Sequence, residues 1–136
     1  MNTALLPNTM PEGPAPPSKE PRHTRWQDVS LEPLKPLIDR QLIVGDNIMV
    51  ARVLLKKGAF VPMHSHLNEQ VTYILEGALK FQIQGKEIVV AAGEVLTIPA
   101  GMPHEAVALE DTVDLDVFTP PRVDWMTGTD AYLRDQ

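Results

Sequence analysis

From Gln41 to Phe118 the chain is written in short runs of apolar residues separated by turn signals. The clearest is Leu79, Phe81 and Ile83 alternating with Lys80, Gln82 and Gln84, a period of two that buries one face of a strand. Further strands are expected at Gln41–Val44, Ile48–Leu55, Gln70–Glu76, Ile88–Val90, Val95–Ile98, Ala106–Leu109 and Val113–Phe118. Gly45-Asp46-Asn47, Lys56-Lys57-Gly58, Gly77 and the hairpin signal Gly85-Lys86 punctuate them. Turn signals at roughly this spacing predict an all-β sandwich or barrel. Residues 26–40 carry Trp26, Val29, Leu31, Leu34, Leu37 and Ile38 among Pro33 and Pro36, which predicts irregular or edge structure. A short helix is expected near Gly128–Arg134.

The first 22 residues read differently. Pro7, Pro11, Pro14, Pro16, Pro17 and Pro21 fix φ and lack an amide donor, so neither a helix nor a ladder continues through them. Residues 1–25 are expected to be a disordered or extended proline-rich tail, and 26–136 one domain with its own C-terminal tail. His23, just beyond the prolines, is expected in solvent. A length of 136 residues suits a single domain. The formal charge of −6 argues against nucleic-acid and anionic-membrane partners. With no cysteine, disulfides, thiolate ligands and a cysteine nucleophile are excluded. No run is long and apolar enough for a membrane span, and Pro7 interrupts Ala4-Leu5-Leu6 before it makes a signal sequence, so a cytoplasmic protein is expected.

Three of the four histidines fall in two glycine-framed patterns. The first runs Gly58, five residues, His64-Ser65-His66, three residues, Gln70, six residues, Gly77; the second runs Gly93, five residues, Pro99-Ala100-Gly101, two residues, His104. Neutral imidazole is the commonest ligand for zinc, nickel, copper and iron. On a strand, His64 and His66 share a face with Asn68 and Gln70, while Leu67 and Glu69 point away. His64, His66, Gln70 and His104 are therefore the expected ligands of one divalent metal ion (Zn, Ni, Mn, Fe or Cu), and Glu69 joins only if the backbone shifts. All four ligands are neutral, so the ion keeps its full charge, which suits a Lewis acid that holds an anionic substrate.

Together these two patterns resemble the two motifs of the cupins, over about residues 45–122. The resemblance implies a single-domain cupin, a double-stranded β-helix or jelly-roll barrel with a metal inside it. Two positions depart from the common pattern: Gln70 stands where many cupins have Glu, and Ala108 where the second motif often has Asn. The run Leu115-Asp116-Val117-Phe118-Thr119-Pro120-Pro121-Arg122 is similar to that of the small KdgF-like cupins of pectin and alginate breakdown. That likeness implies ring opening of unsaturated uronates to the open-chain keto form, with Asp116, Phe118 and Arg122 beside the metal. In residue chemistry, Asp116 suits a general acid or base, Arg122 a substrate carboxylate, and Phe118 a sugar ring. Asp116 paired with Arg122 as a structural tie, and Phe118 as core filler, are the bland alternatives. A metal-dependent dioxygenase and a non-catalytic small-molecule-binding module are the competing functions. Cupins often pair through edge strands, so a homodimer is expected. Trp125 and Tyr132 are expected to pack the tail, Met49, Met63 and Met102 to fill core gaps, and Arg52 to point outward from an edge strand. Glu69, Glu105, Glu110 and Asp111 read as solvated charges.

Overall fold

A computed structural model describes residues 20–134. Expectations for the proline-rich residues 1–19 lie outside the described residues. Ten strands follow in order: β1 Glu32–Lys35, β2 Ile38–Val44, β3 Met49–Leu55, β4 Phe60–His64, β5 Glu69–Glu76, β6 Ala78–Ile83, β7 Lys86–Ala91, β8 Val95–Ile98, β9 His104–Ala108 and β10 Thr112–Thr119. They form a six-stranded sheet ordered β1-β2-β3-β10-β5-β8 and a four-stranded sheet ordered β4-β9-β6-β7. All pairings are antiparallel, so the all-β barrel of the cupin type stands as expected.

Alternation decides what enters the barrel. Met49, Ala51, Val53 and Leu55 of β3 are buried, and Val50, Arg52 and Leu54 between them are not. In β10 the inward set is Thr112, Asp114, Asp116 and Phe118, an unusually polar face for a central strand. Ile38, Ile74, Leu79, Phe81, Val90 and Ile98 complete the apolar core. The junction of β5 and β6 needs glycine: Gly77 has φ +86°, and a Cβ there would collide with the Asp111 carbonyl and the Thr112 side chain.

Several local expectations are corrected. Residues 26–40 have the expected irregular and edge character in the 3-10 turn Trp26–Asp28 and in β1, the edge strand of the six-stranded sheet, but they also begin β2, which lies inside it. Arg52 does point outward, where its Nη1 donates to Gln41 Oε1, yet β3 lies inside the sheet between β2 and β10. The helix forms at Val123–Thr127 (α1) rather than 128–134, because Gly128 adopts φ 72° and caps it. Beyond it only a 3-10 turn, Ala131–Leu133, remains. Of the three methionines, Met49 is core, Met102 packs against the core, and Met63 is exposed.

The C-terminal segment is fastened to the barrel by charge. Arg40 of β2 is fully buried; its Nη1 donates to Asp130 Oδ2 at 2.6 Å and its Nη2 to Glu32 Oε1 at 2.9 Å. Arg134 completes the network from outside, donating to Asp130 Oδ1 and Glu32 Oε2. Trp125 and Leu133 are buried beneath these bonds. No helix among the described residues is long and apolar enough to cross a membrane.

Candidate metal centre

Strand pairing brings the histidines together. His64, the last residue of β4, is the direct cross-strand partner of His104, the first residue of β9. His66 lies past the end of β4, in the connection to β5, so the expected single strand from His64 to Gln70 does not exist. The chain turns there, and Gln70 enters from β5, in the other sheet. The ligating nitrogens of His64, His66 and His104 all lie within 4.8 Å of one another.

Their protonation is set by backbone carbonyls. Nδ1 of His64 is 2.8 Å from Pro62 O, Nδ1 of His66 is 3.0 Å from Asn68 O, and Nδ1 of His104 is 2.9 Å from Met102 O. A carbonyl can only accept, so each Nδ1 carries the proton and each Nε2 presents a lone pair. Burial holds the rings neutral. Loss of hydration pushes His64 down to about 3 and His66 down to about 4, and lowers His104, with the Arg122 charge adding to the effect in each case.

Gln70 brings an amide oxygen to the same place. Its Oε1 is 3.1 Å from His66 Nε2, so two acceptors face each other without a proton between them. A cation bound by both resolves that contact. The donor set, three neutral imidazole nitrogens and one amide oxygen, therefore fits a borderline divalent ion. Glu69 is exposed on the other face of β5 and takes no part.

Asp116 and Phe118 of β10 and Arg122, just before α1, occupy three different places. Asp116 is buried behind Gln70, where its Oδ1 accepts the Thr72 hydroxyl at 2.7 Å. It also neighbours Asp114, whose Oδ1 has no hydrogen-bond partner. Burial raises both carboxyls, Asp114 well above the usual range, where the neighbouring Asp116 charge pushes it further up. Phe118 is fully buried, its ring 5.7 Å from that of His66 and 4.9 Å from that of Trp125. Arg122 turns its fork to Asp124, with Nε donating at 3.0 Å and Nη2 at 2.8 Å. It makes no ion pair with Asp116 among the described residues. Its Nη1 is buried without a partner.

Two residues beyond the expected set complete the surroundings. Tyr132 stacks on His64, and its hydroxyl accepts from Arg122 Nη2 at 2.7 Å and Trp125 Nε1 at 2.9 Å. Thr72, with no exposure, links Gln70 to Asp116. The inward period of β5 contains Thr72, but a threonine in a strand carries no signal of its own. A cavity of about 50 Å³ adjoins His64, Gln70, His104, Asp114, Arg122 and Tyr132. A wider groove of about 490 Å³ borders His66 on its other side, between Leu67, Asn68, Pro120, Val123 and Asp124.

Known proteins resemble this chain in sequence and fold. Residues 51–119 match the cupin domain family. The pectin degradation protein KdgF of Dickeya dadantii is 30% identical over 92 residues, which cover 65% of this chain and 84% of that protein. The structure of KdgF from Halomonas sp. superposes with a TM-score of 0.69 at 27% identity, covering 73% of this chain and 93% of that one. An RmlC-like cupin from Shewanella frigidimarina gives 0.73 at 25% identity, covering 78% and 96%. Barrel, paired histidines and sequence kinship agree: this chain belongs to the cupin family and is related to the pectin degradation protein KdgF.

Proposed function

We propose that this protein is a metal-dependent enzyme acting on a small carboxylated sugar, opening the ring of an unsaturated uronate to its keto form as the KdgF-like resemblance implies. The observation that carries the proposal is the convergence of three neutral imidazoles and the Gln70 oxygen beside a buried guanidinium with a free Nη1. A divalent ion held by His64, His66, His104 and Gln70 supplies Lewis-acid polarisation of a substrate oxygen.

The chain's own residues divide the remaining work. Arg122 offers Nη1 to an anionic group, while Asp124 and Tyr132 hold the rest of its fork in place. Its donation is therefore monodentate. Asp116 is the proton carrier in this reading: ring opening takes a proton off the anomeric hydroxyl and leaves an enol at the former ring oxygen, which becomes the keto form when the neighbouring alkene carbon gains a proton, and a buried carboxyl can serve such exchanges. Phe118 is a wall rather than a sugar platform, since Trp125 and the Arg122 guanidinium already cover its ring. The groove beside His66 has the volume of a small-molecule site, about 300–1,000 Å³; Arg122 lines the inner cavity of about 50 Å³ instead, which admits an anionic group of the substrate rather than a whole sugar.

The test is turnover of unsaturated uronates by metal-loaded protein, followed by loss of the ultraviolet absorbance of the unsaturated ring. The expected result is metal-dependent loss that chelation abolishes. No turnover of any uronate, together with oxygen uptake on a diketone or aromatic substrate, would replace this reading by a dioxygenase.

A further inference from the structure

We infer that Thr72 is a positioning residue of the metal centre: its hydroxyl, engaged by Asp116, fixes Gln70 with Oε1 toward the three histidines. The inference rests on the metal reading above and goes beyond its four ligands.

A glutamine amide has two ends of nearly equal shape and opposite polarity. Only the oxygen can ligate a cation; an NH₂ turned toward it repels. In the bare centre His66 Nε2 would accept from that NH₂, so the histidines alone favour the wrong end. Thr72 opposes this. A hydroxyl has one proton, and Thr72 donates it to Asp116 Oδ1 at 2.7 Å. What remains toward Gln70 is a lone pair, which accepts from Gln70 Nε2 at 2.8 Å. The same amide nitrogen lies 3.5 Å from Asp116 Oδ1. Turning the amide over would set Oε1 against that lone pair and that carboxylate, two repulsive contacts in a buried site.

Strand geometry makes the chain of bonds rigid. Gln70 and Thr72 are two apart on β5 and share the inward face, and Thr72 is the register partner of Asp116 on β10. Thr72 is fully buried and Gln70 and Asp116 nearly so, so water does not compete for these bonds. The same arrangement accounts for glutamine at position 70. A glutamate there would place a second carboxylate against Asp116 and lose the donor that Thr72 accepts.

The experiment compares Thr72→Val, nearly the same shape without the hydroxyl, and Thr72→Ser, which restores it, with wild type. Affinity for Zn²⁺ is measured by competitive titration and the ligand field by the visible spectrum of the Co²⁺ form. Loss of a group that orients a ligand typically weakens metal affinity about 10–100-fold. Thr72→Val should show that loss and an altered Co²⁺ spectrum, and Thr72→Ser should return both toward wild type. A Thr72→Val protein that is less heat-stable but binds Zn²⁺ as wild type does would assign Thr72 to packing and overturn the inference. If Thr72→Val does not fold, Thr72→Ala is titrated in its place, with the same expected loss and the same overturning result. If wild type binds neither ion, the metal reading fails and this inference with it.

Discussion

Tyr132 lies flat on His64, ring centroids 4.2 Å apart and planes tilted by 22°, so the last turn of the described chain covers a candidate metal ligand. The tyrosine is itself held, because its hydroxyl accepts from both Arg122 and Trp125. Tyr132→Phe keeps the stack and removes the acceptor, leaving the buried Trp125 indole N–H without a partner. The expected loss is about 1–3 kcal/mol in urea unfolding, with metal content unchanged. Tyr132→Ala removes the stack as well and should also weaken metal binding.

Arg40 and Asp130 are ninety positions apart and both have side chains with no exposure. Asp130→Ala leaves the guanidinium buried with only Glu32 and the Trp125 carbonyl. Breaking a buried pair in this way costs about 3–5 kcal/mol, and residues 123–134 should become open to limited proteolysis while the barrel stays folded. Asp130→Asn should fall between this variant and wild type.

Much of this was legible in the residues. His64, His66 and His104 are marked by glycine-framed spacing, and the period of two puts Asp114, Asp116 and Phe118 on one face of their strand, where the structure has them. The route to Gln70 was not legible. Alternation along one imagined strand turns Gln70 inward and Glu69 outward, as β5 has them, but the chain leaves β4 at His64 and re-enters the opposite sheet as β5. Arg40 carried no signal either: nothing local says that a charged residue in β2 turns inward, because its fully buried partner, Asp130, lies far along the chain. Likewise the Arg122 fork is claimed by its near neighbour Asp124, a short-range contact that a reading centred on substrate overlooks.

The histidines make acid a specific hazard. Folded His64 and His66 titrate near 3 and 4, below the ordinary value of about 6.5 that they regain on unfolding. Between those limits the unfolded chain binds protons that the folded chain refuses. Their contribution is therefore complete above about pH 6.5 and is lost progressively as pH falls toward 4. Urea midpoints of the metal-free protein from pH 7 to 4 should drop, and replacing His64 and His66 with Gln should flatten that drop.

Asp114 acts in the opposite direction. Its folded carboxyl keeps a proton that the unfolded chain releases near 3.9, so its effect is to lower stability as pH rises above that value. Asp114→Asn keeps the shape and cannot ionise. It should unfold at higher urea than wild type at pH 8, with a smaller difference at pH 5. An equal difference at both would show that Asp114 ionises freely in the fold.

The most direct measurement is metal content. Purified protein is stripped with chelator, reloaded with Zn²⁺, Ni²⁺ or Mn²⁺ in turn, and analysed for bound metal alongside His64→Ala, His66→Ala, His104→Ala and Gln70→Ala. The account predicts about one ion per chain of wild type, a sharp loss in each histidine variant, a smaller loss for Gln70→Ala, and β-rich circular dichroism retained throughout. Wild type that retains none of these ions, or histidine variants that bind as much as wild type, would contradict it.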